Sequence, residues 1–186
     1  MLARDELPFL DEPPSVELAN TLYGDGRDAF DFLGDATVDA WLHHAPRGSS
    51  LGALGSGGVA KLRGLRDAVS CLFDDALYGR RPRPRTLSAI NRASAACVGR
   101  VLLHWDGRPV RRTSFEGPEA DRLVAVYALD AIDVATGARW HALRRCAAPD
   151  CTMLFVQQHR RRRFCHPSCS QRVRQAAYDQ RQRQRR

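Results

Sequence analysis

The 186-residue chain has no run of about 18 or more apolar residues, the length a helix needs to cross a bilayer. Its opening residues, MLARDELPFLDEPP, place acids where an export signal carries basic and then apolar residues. Both absences point to a cytoplasmic protein with no membrane partner. Enzyme signatures are few as well: there is no HExxH, and no paired carboxylates lie beside a nucleophile. The GSGG stretch lacks the preceding strand and following lysine of a phosphate loop, so no enzymatic role is expected. Aromatic residues are scarce in the basic C-terminal part, where Tyr178 stands alone among arginines. That argues against stacking of single-stranded bases and for duplex DNA.

What is present describes a globular protein. Hydrophobic residues make up 44% and charged residues 27% of the chain, and its length allows one good core with a small appendage. The net charge of +8 is segregated. Residues 139–186 hold 13 arginines against Asp150 and Asp179, so residues 1–138 are mildly acidic at −3. An arginine block on an acidic body suits a polyanion; the plain alternative is a solvated terminus.

The six cysteines divide in two. Cys71 and Cys97 lie inside apolar helical patterns and read as small buried hydrophobes. Cys146, Cys151, Cys165 and Cys169 form two tight pairs in RCAAPDCTMLFVQQHRRRRFCHPSC. Four soft ligands so spaced are what one structural zinc ion needs, with a disulfide or redox switch as the alternative. His159 and His166 are substitute ligands, although four cysteines already complete a tetrahedron. The segment TMLFV, with Phe164, is expected to form a short hairpin carrying the apolar packing of so small a module.

Along the chain, residues 1–14 are expected to be extended. Val16, Ala19, Leu22 and Tyr23 predict a helix capped by Ser15. Asn20 within it suits a side chain tying down a neighbouring backbone. GDGRDAF reads as a turn, and a helix near Asp35 carries Val38, Trp41, Leu42 and Ala45 inward, with His43 and His44 in its last turn. Residues 46–58 form a Gly- and Ser-rich connection. From Val59 to Tyr78, apolar residues recur at three and four positions and mark a core helix, which GRRPRPR ends. Thr86 is expected to cap the next helix. Asp106-Gly107 then centres a β-hairpin over about Arg100–Phe115. A further helix runs from Glu119 to a stop at Gly137, with Asp130 half-buried and suited to pairing with an arginine or capping a neighbouring loop.

The tail QRVRQAAYDQRQRQRR contains helix formers and neither Gly nor Pro. Arg174, Tyr178, Arg181 and Arg185 fall on one helical face. Arg160, Arg161, Arg162 and Arg163 are expected to clamp phosphates, with Arg172 part of the same DNA-binding set. RNA or a ribosomal partner, or a thiol-based redox sensor, are the competing readings.

Two stretches carry a resemblance. PSVELANTL resembles the opening motif of the ABATE domain, and RCAAPDCTMLFVQQHRRRRFCHPSCSQRVR resembles the CGNR zinc finger that follows it in bacterial proteins. Ser170-Gln171 stands where the namesake motif has Gly-Asn, and Arg172 is retained. The resemblance implies a stress-induced transcription regulator with zinc on Cys146, Cys151, Cys165 and Cys169. Its helical domain would sense a signal, a small molecule or a second protomer, with Glu17 and Asn20 as candidate ligand contacts. The expected fold is α+β and predominantly α. A helical N-terminal domain with one β-hairpin (1–138) precedes a zinc-finger module ending in a basic helix (139–186).

Overall fold

The computed structural model describes residues 7–24, 29–45 and 54–184. Residues 1–6, 25–28 and 46–53, parts of the stretches read above as extended opening, turn and connection, therefore lie outside the described residues, as does Arg185. The architecture is α+β and predominantly α. In chain order come α1 (Pro14–Ala19), β1 (Leu22–Tyr23), β2 (Phe30–Asp31), α2 (Val38–His44), α3 (Gly55–Leu77) and α4 (Pro84–Ser94). These are followed by β3 (Val98–Trp105), β4 (Pro109–Glu116), α5 (Glu119–Thr136), α6 (Arg139–Ala142), β5 (Leu143–Arg145), β6 (Leu154–Val156) and α7 (Pro167–Gln184). Among the described residues the strands form three separate antiparallel pairs.

The core helix α3 buries the stripe Val59, Leu62, Leu65, Val69, Leu72 and Phe73, as its periodicity predicts. It begins at Gly55, four residues before the expected start, so the end of the Gly-rich connection is helical. A Cβ on Gly58 would meet the Ala120 Cβ at 3.0 Å, so this glycine lets α3 come close to the start of α5. On α5, Leu123, Tyr127, Ala128, Ala131 and Val134 face inward. Trp41 of α2 completes the centre, its ring 6.0 Å from both Phe9 and Tyr127. Cys71 and Cys97 are half-buried, not fully enclosed.

Helix α1 is shorter than its pattern suggests, because Leu22 and Tyr23 turn into β1 and pair with β2. Proline also moves its start. The helix begins at Pro14, whose absent N–H costs nothing in the first turn, so Ser15 is not the cap. The Ser15 N–H instead donates to Asp130 Oδ2 at 2.8 Å, which places Asp130 as a cap supplied by α5. Pro84 has the same effect on α4, and Thr86 lies inside that helix. The hairpin β3–β4 pairs Val98 with Glu116 through Trp105 with Pro109, around Gly107 at φ 67°.

The C-terminal segment does not stand apart from this core. Leu143 of β5 and Leu154 and Val156 of β6 belong to the same buried cluster as α3 and α5. The hairpin around the first cysteine pair therefore joins β6 to residues upstream of Cys146, not to Phe164. The physical reason is burial: all three residues of β6 are buried, Leu154 and Val156 against the main body and Phe155 against the cysteine cluster.

Candidate metal centre and basic surface

Two local structures present the four cysteines. The first is the turn between β5 and β6, in which Asp150 takes φ 62° and the Cys151 N–H reaches the Ala148 carbonyl at 3.3 Å. The Cys146 N–H donates to the Met153 carbonyl at 2.9 Å and closes that turn. The second is the start of α7. Cys165 precedes the helix, and Cys169 lies in its first turn with its N–H on the His166 carbonyl at 3.1 Å. Three residues between these cysteines suffice because the helical turn itself brings the second thiol back.

The sulfurs are arranged as a metal requires. Cys151 and Cys165 Sγ are 3.8 Å apart, Cys165 and Cys169 Sγ 3.7 Å, and Cys169 and Cys151 Sγ 3.9 Å. A tetrahedron with zinc–sulfur bonds of about 2.3 Å has edges of about 3.8 Å, whereas a disulfide needs about 2.05 Å. All four ligand atoms lie within 4.8 Å of one another, and three of the cysteines are buried. This donor set fits one structural zinc ion.

Electrostatics agree. The Cys151 thiol is lowered to about 5, chiefly by the hydrogen bond from Cys165, which is itself pushed far up by that bond and by burial. Burial also raises Cys169. Four thiols this close compete for one negative charge, and a dication is what allows all of them to be anions together. The Cys165 N–H points to Cys146 Sγ at 3.4 Å and supports that charge. Neither histidine joins the set. His166 Nδ1 lies 2.8 Å from Ser168 Oγ and 3.3 Å from its N–H at the helix start. His159 Nδ1 accepts the Arg161 N–H at 3.2 Å.

Two family models match the chain. One, described as "Putative stress-induced transcription regulator" and named ABATE, covers residues 12–138. The chain belongs to the ABATE family. The other, the CGNR zinc finger, covers residues 142–182 and contains all four cysteines. No curated protein matches the chain.

The ABATE opening motif turns out to hold the zinc finger. Asn20, 2% exposed, donates from Nδ2 to the Leu154 carbonyl at 3.0 Å and accepts the Leu154 N–H on Oδ1 at 2.8 Å. Its amide thus acts as a one-residue strand partner for β6. Glu17 Oε1 accepts the N–H groups of Leu10 and Glu12, each at 2.8 Å, and shapes the segment before α1. Burial raises Glu17 to about 7, against the lowering effect of those two backbone donors. Both candidate ligand contacts are thus engaged within the protein. Glu12, which sequence reasoning did not single out, accepts the Val156 N–H at 2.8 Å and pairs with Arg162 at 2.7 Å. An acid in a Pro-rich segment gives no local sign of a partner 150 residues away.

The arginines separate into two groups. Arg162 is an internal bolt: it reaches the Val156 and Cys165 carbonyls at 3.2 and 2.9 Å and stacks 4.6 Å over Phe155. Arg172, the retained residue of the CGNR motif, donates to the Pro149 carbonyl at 3.0 Å and ties α7 to the first cysteine turn. Arg160, Arg161, Arg163, Arg174 and Arg181 are exposed. Arg174, Tyr178 and Arg181 lie about 120–180° round the helix from Arg172, on the side away from the metal. Arg183, absent from the expected set, is also exposed on α7. Ser170 and Gln171 are helical, so the departure from Gly-Asn leaves α7 continuous from its first turn.

Proposed function

We propose that this ABATE protein is a zinc-dependent regulator that binds duplex DNA through α7 and the arginines before it. The observation that carries the reading is the helix itself. It spans 18 residues, about 27 Å, and buries none of them. Its base is fixed by Cys169 and Arg172, and its free face carries Arg174 and Arg181. Beyond Cys169 and Val173, which pack against the cysteine cluster, the helix has little apolar surface to place on the protein's own core. Against a phosphate backbone, its arginines would release counterions and bond through planar forks.

Division of labour follows from the two arginine groups. Arg160, Arg161 and Arg163 contact phosphates, while Arg174 and Arg181 lie along the groove. Zinc, when bound, supplies only charge neutralisation and crosslinking of the two cysteine turns. Cys146, Cys151, Cys165 and Cys169 hold it and thereby aim α7. No catalytic step is assigned to the chain, and its place of action is the cytoplasm. The helical body receives the signal or partner, and the Asn20–Leu154 and Glu12–Arg162 contacts are the route by which it reaches the finger.

Fluorescence anisotropy with random and selected duplexes tests this. Affinity is expected to fall linearly in log–log form with salt, and to vanish on chelation of zinc or in Cys146→Ser/Cys165→Ser. Duplex binding that survives loss of the metal sinks the zinc-organised reading. Tighter binding to structured RNA than to any duplex replaces DNA by RNA as the partner.

A further inference from the structure

The hairpin β3–β4 stands against an expectation of physics. A two-stranded hairpin is marginal in water unless a third strand or a helix covers it. Here every residue of β3 is exposed, and in β4 only Val110 and Phe115 are half-buried. Leu103 is 80% and Trp105 74% exposed, with Val98, Val101 and Leu102 also open to solvent. Between the hairpin and α5 lies a groove of about 340 Å³, walled by Val101 and Phe115 on one side and Val126 and Leu129 on the other.

We propose that this hairpin is where a second copy of the chain docks, edge of β3 to edge of β3, to form a four-stranded sheet across the dimer. The two edges differ in what they permit. Edge β4 begins with Pro109 and carries Arg111 and Arg112, the features that keep an edge from pairing. Edge β3, VGRVLLHW, has no proline, and its one arginine, Arg100, is held by Glu116 at 3.2 Å. A strand meeting its own copy antiparallel therefore brings together apolar residues and no run of like charge.

Area supports the same occupant. Val101, Leu103 and Trp105 share one face of β3 and Val98 and Leu102 the other, and together they present on the order of 600 Å² against the about 800 Å² per partner that a standard interface buries. The groove beside Leu129, also lined by Arg111, Asp130 and Asp133, adds to this area and has room for a side chain of the second copy. Four strands and a covered face also meet the stability requirement that two strands miss. This inference is independent of the DNA reading and depends only on the state of the protein alone.

The test uses the full zinc-loaded chain. Sedimentation and light scattering at micromolar concentration are expected to give twice the mass of one chain. Leu103→Glu and, separately, Trp105→Glu are expected to weaken the dimer about a hundredfold or more, as loss of a central apolar anchor does. Because both side chains are exposed in the single chain, helicity and zinc content are expected to stay unchanged. Hydrogen exchange is expected to show protection of β3 amides that rises with protein concentration. A wild-type monomer, a dimer unaffected by both substitutions, or exchange in β3 that ignores concentration overturns the proposal.

Discussion

Replacing Asn20 with alanine tests whether the body and the zinc finger are one structure. The amide satisfies both backbone groups of Leu154, at 2.8 and 3.0 Å, in a place sealed from water. Alanine leaves a buried N–H and a buried carbonyl without partners, at about 1–3 kcal/mol each. The expected loss is therefore about 2–5 kcal/mol, a large share of the about 5–15 kcal/mol that a domain of this kind has. Zinc affinity is expected to fall as well, since Met153, next to Leu154, holds the Cys146 N–H. Denaturant unfolding of the zinc-loaded protein, followed by the fluorescence of buried Trp41, measures the first effect, and chelator competition the second. Asn20→Asp, which keeps the acceptor and loses the donor, is expected to fall between. A stability change within about 0.5 kcal/mol for Asn20→Ala refutes the role assigned to this residue.

Three further outcomes are expected. Glu17 is raised in the folded state from 4.5 to about 7, so the native protein binds the extra proton between these values and stability declines as pH rises through that window. The decline is at most about 3 kcal/mol, and Glu17→Gln is expected to flatten it in unfolding curves taken from pH 4.5 to 8. Arg162→Ala strands the buried carboxylate of Glu12 and is expected to cost about 3–5 kcal/mol, while Arg161→Ala, one residue away and exposed, changes stability by less than about 0.5 kcal/mol. For DNA, Arg174→Ala and Arg181→Ala are each expected to reduce the slope of log affinity against log salt by about one, as titrations at several ionic strengths would show.

The cysteine site was legible because its ligands are local: two short turns, each chelating, need no knowledge of the rest of the fold. The helices of the body were legible through periodicity, with Leu62, Val69 and Phe73 on α3 as clear as any. Boundaries set by proline were less so, since Pro14 and Pro84 start their helices ahead of the residues that look like caps. What could not be read was long-range polar pairing. Nothing around Glu12 points to Val156, and Arg162 looks like its neighbours in a run of four arginines. Only the fold separates the one that faces inward. Asn20 was placed correctly in kind, as a side chain holding backbone, but its partner lies 134 residues along the chain.

That separation has a consequence for the order of events during synthesis. Glu12 and Asn20 leave the ribosome well before their partners Val156 and Leu154, which are made 144 and 134 residues later. At about 5–20 residues per second, the opening motif waits on the order of ten seconds with its polar groups uncommitted. The core therefore cannot close around α1 until the metal-binding turn has emerged. Zinc uptake and completion of the body become a single late step, and chains cut short before residue 154 are left with exposed apolar surface for quality control to find.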